Sequence, residues 1–521
     1  MKKISGIIIS FVLIMTLTAC NFSDTEFYKR FFSDEQKNQV NENNDTRPAK
    51  NEITIGVVEL DNYNPLYVKS STNRNMLSFI YEPLFSIDSN MNTEGVLAES
   101  YTLSPDGKSI RVNLKEGVMW HNGDIFTSRD VVYTVNQIKN NDTRYSTMLE
   151  GIKGIASAGT FAVDISFTRA LPNPVLLLSF PIVKFGTGSG IDFKPVGTGP
   201  FFLDYDKLSA FENYHGTRAD IDRVNVISIP DNEKFISLFN ASVIDIADSQ
   251  ILDMTQYMPK SNSVVYNYTS NKMVFVGFNT NDAVFRFPEA RRSVSELIDR
   301  REIATHHYFS RAEAARYALN PQSRFCPQPS TGMRSNTEAA RKALTDKGWT
   351  TDKRGIYYYT DNVSITYFSV NILVNSQSPE RVKIADEISE AMTALGLMNT
   401  VTKCSNSEFM ARVSSGNYDM FIGETELMPN NDLTHMAYSG LNMFGYSSSE
   451  TDTLITQLGL ISAENDIKGV WENLCLKLDE DCPFAPVCFL KDSLVTSSKI
   501  KSGVEPSFEN SVRLTKEWSL K

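Results

Sequence analysis

The sequence predicts an α/β fold with mixed sheets flanked by helices, and three observations support it. Residues 97–114 alternate apolar and polar side chains around a Ser-Pro-Asp-Gly turn, which predicts an antiparallel hairpin. Residues 378–422 alternate helix and strand signals in the order typical of parallel pairing. The chain has 521 residues, of which 41% are hydrophobic and 11% aromatic, so it is long and apolar enough for two or three domains with large cores.

The N-terminus carries an export signal. Two lysines precede an apolar run from Ile7 to Leu17 that is too short for a permanent membrane helix. The run ends in Leu-Thr-Ala-Cys, which resembles the bacterial lipobox, in which Cys20 would become the lipidated first residue. A buried helix of a cytosolic domain fits poorly, because strongly polar sequence follows at once. We therefore expect residues 1–19 to be a lipoprotein signal peptide, residues 20–50 a polar tether, and the protein to be anchored on the extracytoplasmic face of the cell membrane.

The folded region begins with strands and short helices. The run Ile53 to Val58 predicts a strand, and the Asn and Pro residues after it favour a turn. The segment Met76 to Ile80 predicts a helix. Thr127 and Asp130 stand three residues apart before an apolar run, which is a capping-box pattern that opens a helix reaching about Lys139.

The second half repeats helix and strand signals. Ser378 is a plausible N-cap with Pro379 at the first helical position, and an apolar stripe continues until Gly396. Residues 397–401 predict the next strand and residues 418–422 another, with a short helix between them. This β-α-β order predicts parallel strands joined by crossover helices.

Charge and cysteine content narrow the function classes. The net charge of −11 argues against nucleic acid as a partner, because little would neutralise its phosphates. Five cysteines follow Cys20, and an odd number outside the cell leaves at least one free thiol. Three of them cluster in a spacing that matches no zinc pattern, so either a disulfide within this cluster or buried core thiols are predicted. The five are Cys326, Cys404, Cys475, Cys482 and Cys488.

No motif supports catalysis. The five histidines form no H-E-x-x-H pattern, and G-x-S-x-G is absent. Residues 498–501 fit S-x-x-K, but the companion motifs of that chemistry are missing. The Val-Gly-Thr-Gly-Pro run at 196–200 lacks the lysine of a phosphate loop, and its glycines predict a tight chain reversal instead. We expect no enzymatic activity, no cofactor and no metal site.

Five segments, in this order, resemble one known family. Together they resemble the family 5 extracellular solute-binding proteins, which are the peptide and nickel receptors of ABC importers, and the resemblance runs from about Ile53 to about Lys501. The segments are YEPLF at 81–85, LAESYTLSPDGKSIRVNLKEGVMWHNGDIFTSRDVVYTV at 97–135, PVGTGPF at 195–201, FVGFNTN at 275–281 and ARRSVSELIDRREI at 290–303.

The resemblance implies a two-lobed, periplasmic-binding-protein-like fold with an extra subdomain and a ligand cleft between the lobes. Lobe I is expected to span residues 51–280 and to include the inserted subdomain at about 88–185. Lobe II is expected at 281–488, and residues 489–521 return to lobe I. The resemblance also implies a monomer that works with ABC permease subunits and cytoplasmic ATPases.

The resemblance implies one recognition segment in lobe II. In peptide-binding relatives, a strand and loop similar to residues 418–432 carry a tryptophan and then an aspartate that pairs with the amino terminus of the peptide. Thr425 and Met428 stand at these positions here. Glu424 or Glu426 would then supply the negative charge, and the alternative is that both are solvent-facing loop residues.

Other residues at strand ends and family motifs are candidates for ligand contact, and each is equally a candidate for a packing or turn role. Arg291, before a predicted long helix, is expected to be structural. The remaining ligand candidates are Tyr63, Asn64, Tyr81, Glu82, Asn279, Asn431 and Tyr446.

These features predict a lipid-anchored receptor that captures an oligopeptide or a peptide-like small molecule outside the cell and delivers it to a membrane permease. Two alternatives stay open. One is a surface peptide sensor that signals without import. The other is a receptor for a nickel chelate, which the small number of histidines makes less favourable.

Overall fold

The computed structural model describes residues 51–218, 220–248, 263–361, 363–461, 464–513 and 518–520. The predicted signal peptide and tether, and with them Cys20, lie outside the described residues. Among the residues described, no helix combines the length and the apolarity that crossing a membrane requires.

The chain combines strands and helices, as the sequence predicts for an α/β fold with mixed sheets. The helices are α1 (Ser71–Leu77), α2 (Ser128–Asn140), α3 (Asn232–Asn240), α4 (Pro288–Leu297), α5 (Arg300–Glu302), α6 (Thr337–Thr345), α7 (Pro379–Leu395), α8 (Asn406–Ser414), α9 (Thr434–Ala437), α10 (Ser449–Leu458) and α11 (Glu464–Asp481). The first strands are β1 (Glu52–Val57), β2 (Phe85–Ile87), β3 (Thr93–Gly95), β4 (Ala98–Leu103), β5 (Ser109–Leu114), β6 (Ile152–Ser157), β7 (Ala162–Phe167), β8 (Phe201–Asp204), β9 (Lys207–Ala210), β10 (Arg223–Ser228) and β11 (Ile246–Asp248). The later strands are β12 (Ser263–Phe278), β13 (Ala312–Ala314), β14 (Thr350–Thr351), β15 (Tyr357–Thr360), β16 (Ile365–Tyr367), β17 (Ser369–Asn375), β18 (Met398–Cys404), β19 (Met420–Glu426), β20 (Phe484–Ser497), β21 (Ile500–Ser502) and β22 (Ser519–Leu520).

The predicted hairpin and capping box are confirmed. Strands β4 and β5 pair antiparallel, and they continue into a four-stranded sheet in the order β4-β5-β7-β6. Helix α2 begins after Thr127, whose backbone N–H donates to Asp130 Oδ2 at 2.9 Å. The apolar face of α2 buries Val131, Val135 and Ile138.

The predicted β-α-β order is also confirmed. Strand β17 pairs in parallel with β18 and with β19, and helix α7 connects β17 to β18. Pro379 stands at the first helical position of α7, and Gly396 ends the helix in the left-handed region at φ 94°. A glycine suits this position because a side chain there would be strained.

The largest sheet contains seven strands, in the order β11-β20-β12-β19-β17-β18 with β13 on the edge of β20. The long strands β12 and β20 pair antiparallel along most of their length. The register shifts between Thr269 and Met273, so this pair is irregular at its midpoint. A separate sheet, β1-β10-β9-β8, carries the first strand of the chain.

All five cysteines that the structure describes are free thiols. The prediction of a disulfide within the C-terminal cluster is therefore wrong, and the alternative of core thiols is confirmed. Cys475, Cys482 and Cys488 are buried members of the hydrophobic core. Burial raises the pKa of the Cys482 thiol to about 12, so this thiol stays protonated and unreactive at neutral pH.

Two buried arginines in the second half of the chain connect separate segments through hydrogen bonds. Arg291 donates to the carbonyls of Phe285, Asp481 and Cys482, so its predicted structural role is confirmed. Arg300 is fully buried, and its guanidinium donates to carbonyls of several different segments. Each arginine satisfies carbonyls that would otherwise be buried without a donor.

One early helix lies earlier in the chain than predicted. The sequence predicts a helix at Met76 to Ile80, but α1 ends at Leu77. The helix begins earlier because Ser70 caps it, with its hydroxyl accepting from the backbone N–H of Asn73 at 3.4 Å. The predicted position followed the apolar residues, whereas the polar Ser-Thr-Asn run sets the helix start.

Candidate ligand-binding cleft

The structure contains a cleft of about 510 Å³, called the main cleft below. Its walls come from the end of α1, the segment around Tyr81 and Glu82, the loop before β4, and a loop at 214–217. Tyr268 of β12 and the C-terminal segment 505–513 close the other side. Charged and aromatic side chains converge on this space from segments that are far apart in sequence. A cavity of this size with a few directed polar groups is typical of a small-ligand site.

Helix α1 is held in place by its own polar residues. The side-chain amide of Asn73 donates to Asp61 Oδ1 and to the carbonyl of Asn62, both at 2.7 Å. Asn73 itself is completely buried. These bonds fix the helix so that Arg74, Asn75 and Ser78 face the main cleft.

Both carboxylate oxygens of Glu82 have protein partners in the main cleft. Its Oε1 accepts from the hydroxyl of Tyr214 at 2.8 Å, and its Oε2 lies 2.9 Å from Nε2 of His215. The carboxylate is only 7% exposed, so both bonds form away from bulk water. Burial and the nearby Glu82 carboxylate raise the pKa of Tyr214, which therefore remains a hydrogen-bond donor at any physiological pH.

A glycine-containing loop supports the wall behind Tyr81. His121 accepts from the N–H of Gly197 at 3.2 Å through Nδ1, and its Nε2 lies 2.9 Å from the carbonyl of Gly199. Burial lowers the pKa of His121 to about 4, so the ring is neutral at physiological pH. The N–H of Gly199 donates to the carbonyl of Ile80 at 2.8 Å. His121 is therefore a structural residue that joins this loop to the segment before Tyr81.

The role of the two glycines differs from the sequence prediction of a tight chain reversal. Neither has positive φ. Instead, a Cβ on Gly197 would lie 1.8 Å from the carbonyl oxygen of Ile80, and a Cβ on Gly199 would lie 2.7 Å from the same atom. The glycines are needed because two backbone segments pass close to each other there.

The C-terminal segment forms a wall of the main cleft that the sequence analysis did not assign to the site. Arg513 forms an ion pair with Glu94, and the hydroxyl of Ser511 donates to Asp248 Oδ2 at 2.5 Å. These two contacts fix the end of the segment, and Phe508 and Glu509 face the cleft just before them. No local pattern in the sequence marks this segment, because its partners lie hundreds of residues away.

Two of the nine predicted ligand residues, Tyr81 and Glu82, line the main cleft. Tyr63 and Asn64 are buried beside it without lining it. The amide of Asn64 donates to the carbonyl of Gly188 at 2.8 Å, and its Oδ1 accepts from Leu66 N–H. The Tyr63 ring packs edge-on against Phe193. In this structure the contacts of both residues stabilise the turn after β1.

Asn279 and Tyr446 lie outside the lining of the main cleft. The amide of Asn279 donates to the carbonyl of Tyr418 at 3.0 Å, and its Oδ1 accepts from the following turn. The hydroxyl of Tyr446 donates to Asp481 Oδ2 at 2.6 Å. Both side chains form hydrogen bonds with groups of the protein.

Glu424 and Glu426 lie on strand β19, whereas the sequence offered a loop as the alternative to a ligand contact. Glu424 Oε2 accepts from Arg381 Nη1 at 2.6 Å, so its charge is already neutralised by a residue of α7. Glu426 is exposed and stands opposite Lys272 in the β12–β19 register. Neither residue lines the main cleft.

Asn431 lies at a second, smaller cavity of about 280 Å³. This cavity is also lined by Pro172, Phe325 and Trp471, so it lies where the predicted inserted subdomain meets lobe II. The amide of Asn430 donates to the carbonyl of Pro172 at 2.9 Å across the same boundary. The backbone of Asn431 is left-handed, with φ 54°.

Within the described ranges, no three His, Cys, Asp or Glu side chains come together in a way that could hold a metal ion.

The sequence of this chain matches the model of a known protein family. The model of the bacterial extracellular solute-binding proteins, family 5 Middle, matches residues 92–445. The oligopeptide-binding protein AppA of Bacillus subtilis is 24% identical over 454 residues, which cover 81% of this chain and 83% of that protein. Heme-binding protein A of Haemophilus influenzae is 22% identical, with 80% and 82% covered.

Solved structures share the fold. The structure of a nickel ABC transporter protein from Bacillus halodurans superposes with a TM-score of 0.75 at 18% identity, and it covers 90% of this chain and 100% of that one. At this identity the similarity establishes the fold, which is the two-lobed arrangement of periplasmic solute-binding proteins.

Proposed function

This chain belongs to the bacterial extracellular solute-binding proteins of family 5, and from that premise we propose that it captures a peptide-like solute for an ABC importer. The observation that carries the proposal is the main cleft of about 510 Å³, in which Glu82, three arginines and several tyrosines converge. A short peptide has an ammonium group, a carboxylate and backbone amides, and these match charged and hydrogen-bonding walls. The relatives AppA and heme-binding protein A carry names that refer to different ligands, so the proposal of a peptide-like ligand is supported by the charged lining of the cleft of this chain.

The proposal includes delivery by lobe closure. Lobe I is proposed at residues 51–280, with an inserted subdomain at about 88–185, and lobe II at 281–488, before the chain returns to lobe I. The β4-β5-β7-β6 sheet, which lies wholly within 88–185, supports these boundaries. The residues that line the main cleft belong to proposed lobe I or to the segment that returns to it, so closure requires that lobe II adds contacts to a ligand held by lobe I. A ligand that binds the closed form more tightly than the open form would then drive closure and present a monomeric, loaded receptor to the permease subunits.

A thermal-shift screen tests the ligand class. We expect the mature protein to melt at a higher temperature with pools of free peptides than with nickel–histidine complexes, because a ligand of the folded state alone stabilises it by ~2.7 kcal/mol at one hundred times its Kd. Thr217 lines the cleft and is exposed, so Thr217→Trp should reduce the shift by crowding the site.

The matched control is Glu212→Trp, since Glu212 is equally exposed but lies outside the cleft lining. This variant should keep the full shift. If no peptide pool shifts the melting temperature of the native protein, the peptide assignment is wrong. A shift that survives Thr217→Trp unchanged would place binding outside the main cleft.

We also propose that the protein is a lipoprotein held at the cell surface. The support is the sequence of the N-terminus, where an apolar run ends in Leu-Thr-Ala-Cys and a polar stretch follows. An anchor keeps captured solute beside the importer by raising the local concentration of the receptor. We expect Cys20→Ala to abolish incorporation of a labelled fatty acid and to move the protein out of the membrane fraction, as followed by metabolic labelling and cell fractionation. Retention of the label would show that Cys20 is not the modified residue, and Cys326→Ala is the control that should keep it.

A further inference from the structure

The acids of the main cleft differ in whether they already have a partner. Four glutamates line the cleft, and two of them already bind protein side chains. Glu82 accepts from Tyr214 and is held by His215, and Glu94 pairs with Arg513. Of the other two, Glu505 is exposed to solvent, whereas Glu509 lies deeper in the cleft. Among the described residues, Glu509 forms no ion pair within 4 Å.

Glu509 is partly buried in the wall of the main cleft, and part of its side chain remains open to the cleft. Arg144 acts on its carboxyl electrostatically without forming an ion pair within 4 Å. Burial, with a further contribution from the Glu426 carboxylate, raises the pKa of Glu509 to about 7, and Arg144 and a hydrogen bond from Ser179 oppose this rise. The carboxylate form is therefore poorly stabilised in the empty protein.

An ammonium group that entered the cleft would supply what this carboxylate lacks. A charge-assisted hydrogen bond between ammonium and carboxylate is stronger where water is partly excluded, and here it would add to the hydrogen bond from Ser179. Glu82 and Glu94 already have partners, so they gain less from binding such a ligand. Glu424 on β19 gains less as well, because Arg381 already neutralises it.

We propose that Glu509 binds the ammonium group of the peptide ligand, so that the C-terminal segment carries the residue that selects for a free amino terminus. This inference rests on the proposed function, because it requires that the ligand is a peptide. It assigns the acidic contact to a wall of the cleft that is separate from strand β19.

Calorimetric titration with two probes tests this assignment. The probes are a set of tripeptides with free amino termini and the same tripeptides after N-acetylation. We expect the native protein at pH 7 to bind the free peptides at least tenfold more tightly than the acetylated ones. Glu509→Gln should lose at least tenfold in affinity for the free peptides and should no longer distinguish the two sets.

Glu212→Gln is the control, because Glu212 carries the same charge but is exposed and lies outside the cleft lining. This variant should retain both the native affinity and the discrimination. An equal loss in Glu212→Gln would mean that only the general negative charge of the protein matters, which would overturn the assignment to Glu509. Circular dichroism spectra of both variants check that the fold is retained.

The pH dependence of binding gives an independent readout. The charged groups that face Glu509 are Arg144 and Glu426, and Arg74, Glu505 and Arg513 line the same cleft. Glu509 must release its proton before it can pair with an ammonium group, so the affinity of the native protein should fall as the pH decreases from 7 to 5, approaching tenfold per pH unit. In Glu509→Gln this dependence should disappear, whereas a merely structural role would leave it in place.

The outcomes separate the inference from the proposed function. If the native protein binds free and acetylated peptides equally, or if Glu509→Gln binds as the native protein does, the role of Glu509 is wrong and peptide capture stands. If the native protein binds no free peptide, both fall together.

Discussion

Replacing Gly197 with alanine is expected to lower the free energy of unfolding by about 4 kcal/mol or to prevent folding, because the new Cβ has no space. It would lie 1.8 Å from the carbonyl oxygen of Ile80 and 2.6 Å from the carbonyl carbon. These are backbone atoms, so no side-chain rotation relieves the overlap. The segments must separate, which would break the bond from Gly199 N–H to Ile80 and the two bonds to His121.

Urea denaturation followed by circular dichroism measures this loss, and Gly188→Ala is the control. A Cβ on Gly188 meets nothing within 4 Å, and its φ is not positive. That variant should change stability by less than ~1 kcal/mol. If the two variants unfold at the same urea concentration, the close approach at Gly197 does not exist in solution.

Arg300→Met is expected to lower the free energy of unfolding by about 3–5 kcal/mol, since a buried cation and all its bonds are lost together. The guanidinium donates to the carbonyl of Pro486 at 2.7 Å, to that of Gly332 at 2.8 Å and to the hydroxyl of Ser295 at 2.9 Å. Burial lowers the pKa of Arg300 to about 10, so the group is still charged at neutral pH. Methionine fills a similar volume but leaves these acceptors without donors.

The neighbouring Arg301 supplies the comparison for this experiment, because its side chain is exposed. Arg301→Met should be close to neutral in the same urea titration. Equal stability of Arg300→Met and the native protein would show that other donors or water replace the guanidinium.

The elements that the sequence predicted well are those set by neighbouring residues. The Thr127–Asp130 capping box and the Pro379 to Gly396 helix depend on contacts within a few positions, so their residue types are informative by themselves. The parallel strands around α7 follow from element order. The family resemblance extended these local predictions to the two-lobed fold.

The site was harder to predict, because its partners are distant in sequence. Nothing near Glu424 in the chain indicates Arg381, which neutralises it from another element. Arg513 and Glu94 are 419 positions apart, so the return of the C-terminal segment to the cleft left no local pattern. Asn64 follows a strand, as ligand-contacting residues often do. Its side-chain amide, however, bonds to Gly188 and Leu66 and stabilises the turn.

The position of β20 near the end of the chain determines when the largest sheet can be completed. Ser270 on β12 and Leu490 on β20 are 220 positions apart, yet they are joined by a hydrogen bond at 2.8 Å. While the chain is being made, β12 exists for a long period with an unpaired edge. Such non-local pairing slows folding and exposes a strand that other chains can add to. An unpaired β12 edge is therefore a point at which an incomplete chain is open to aggregation.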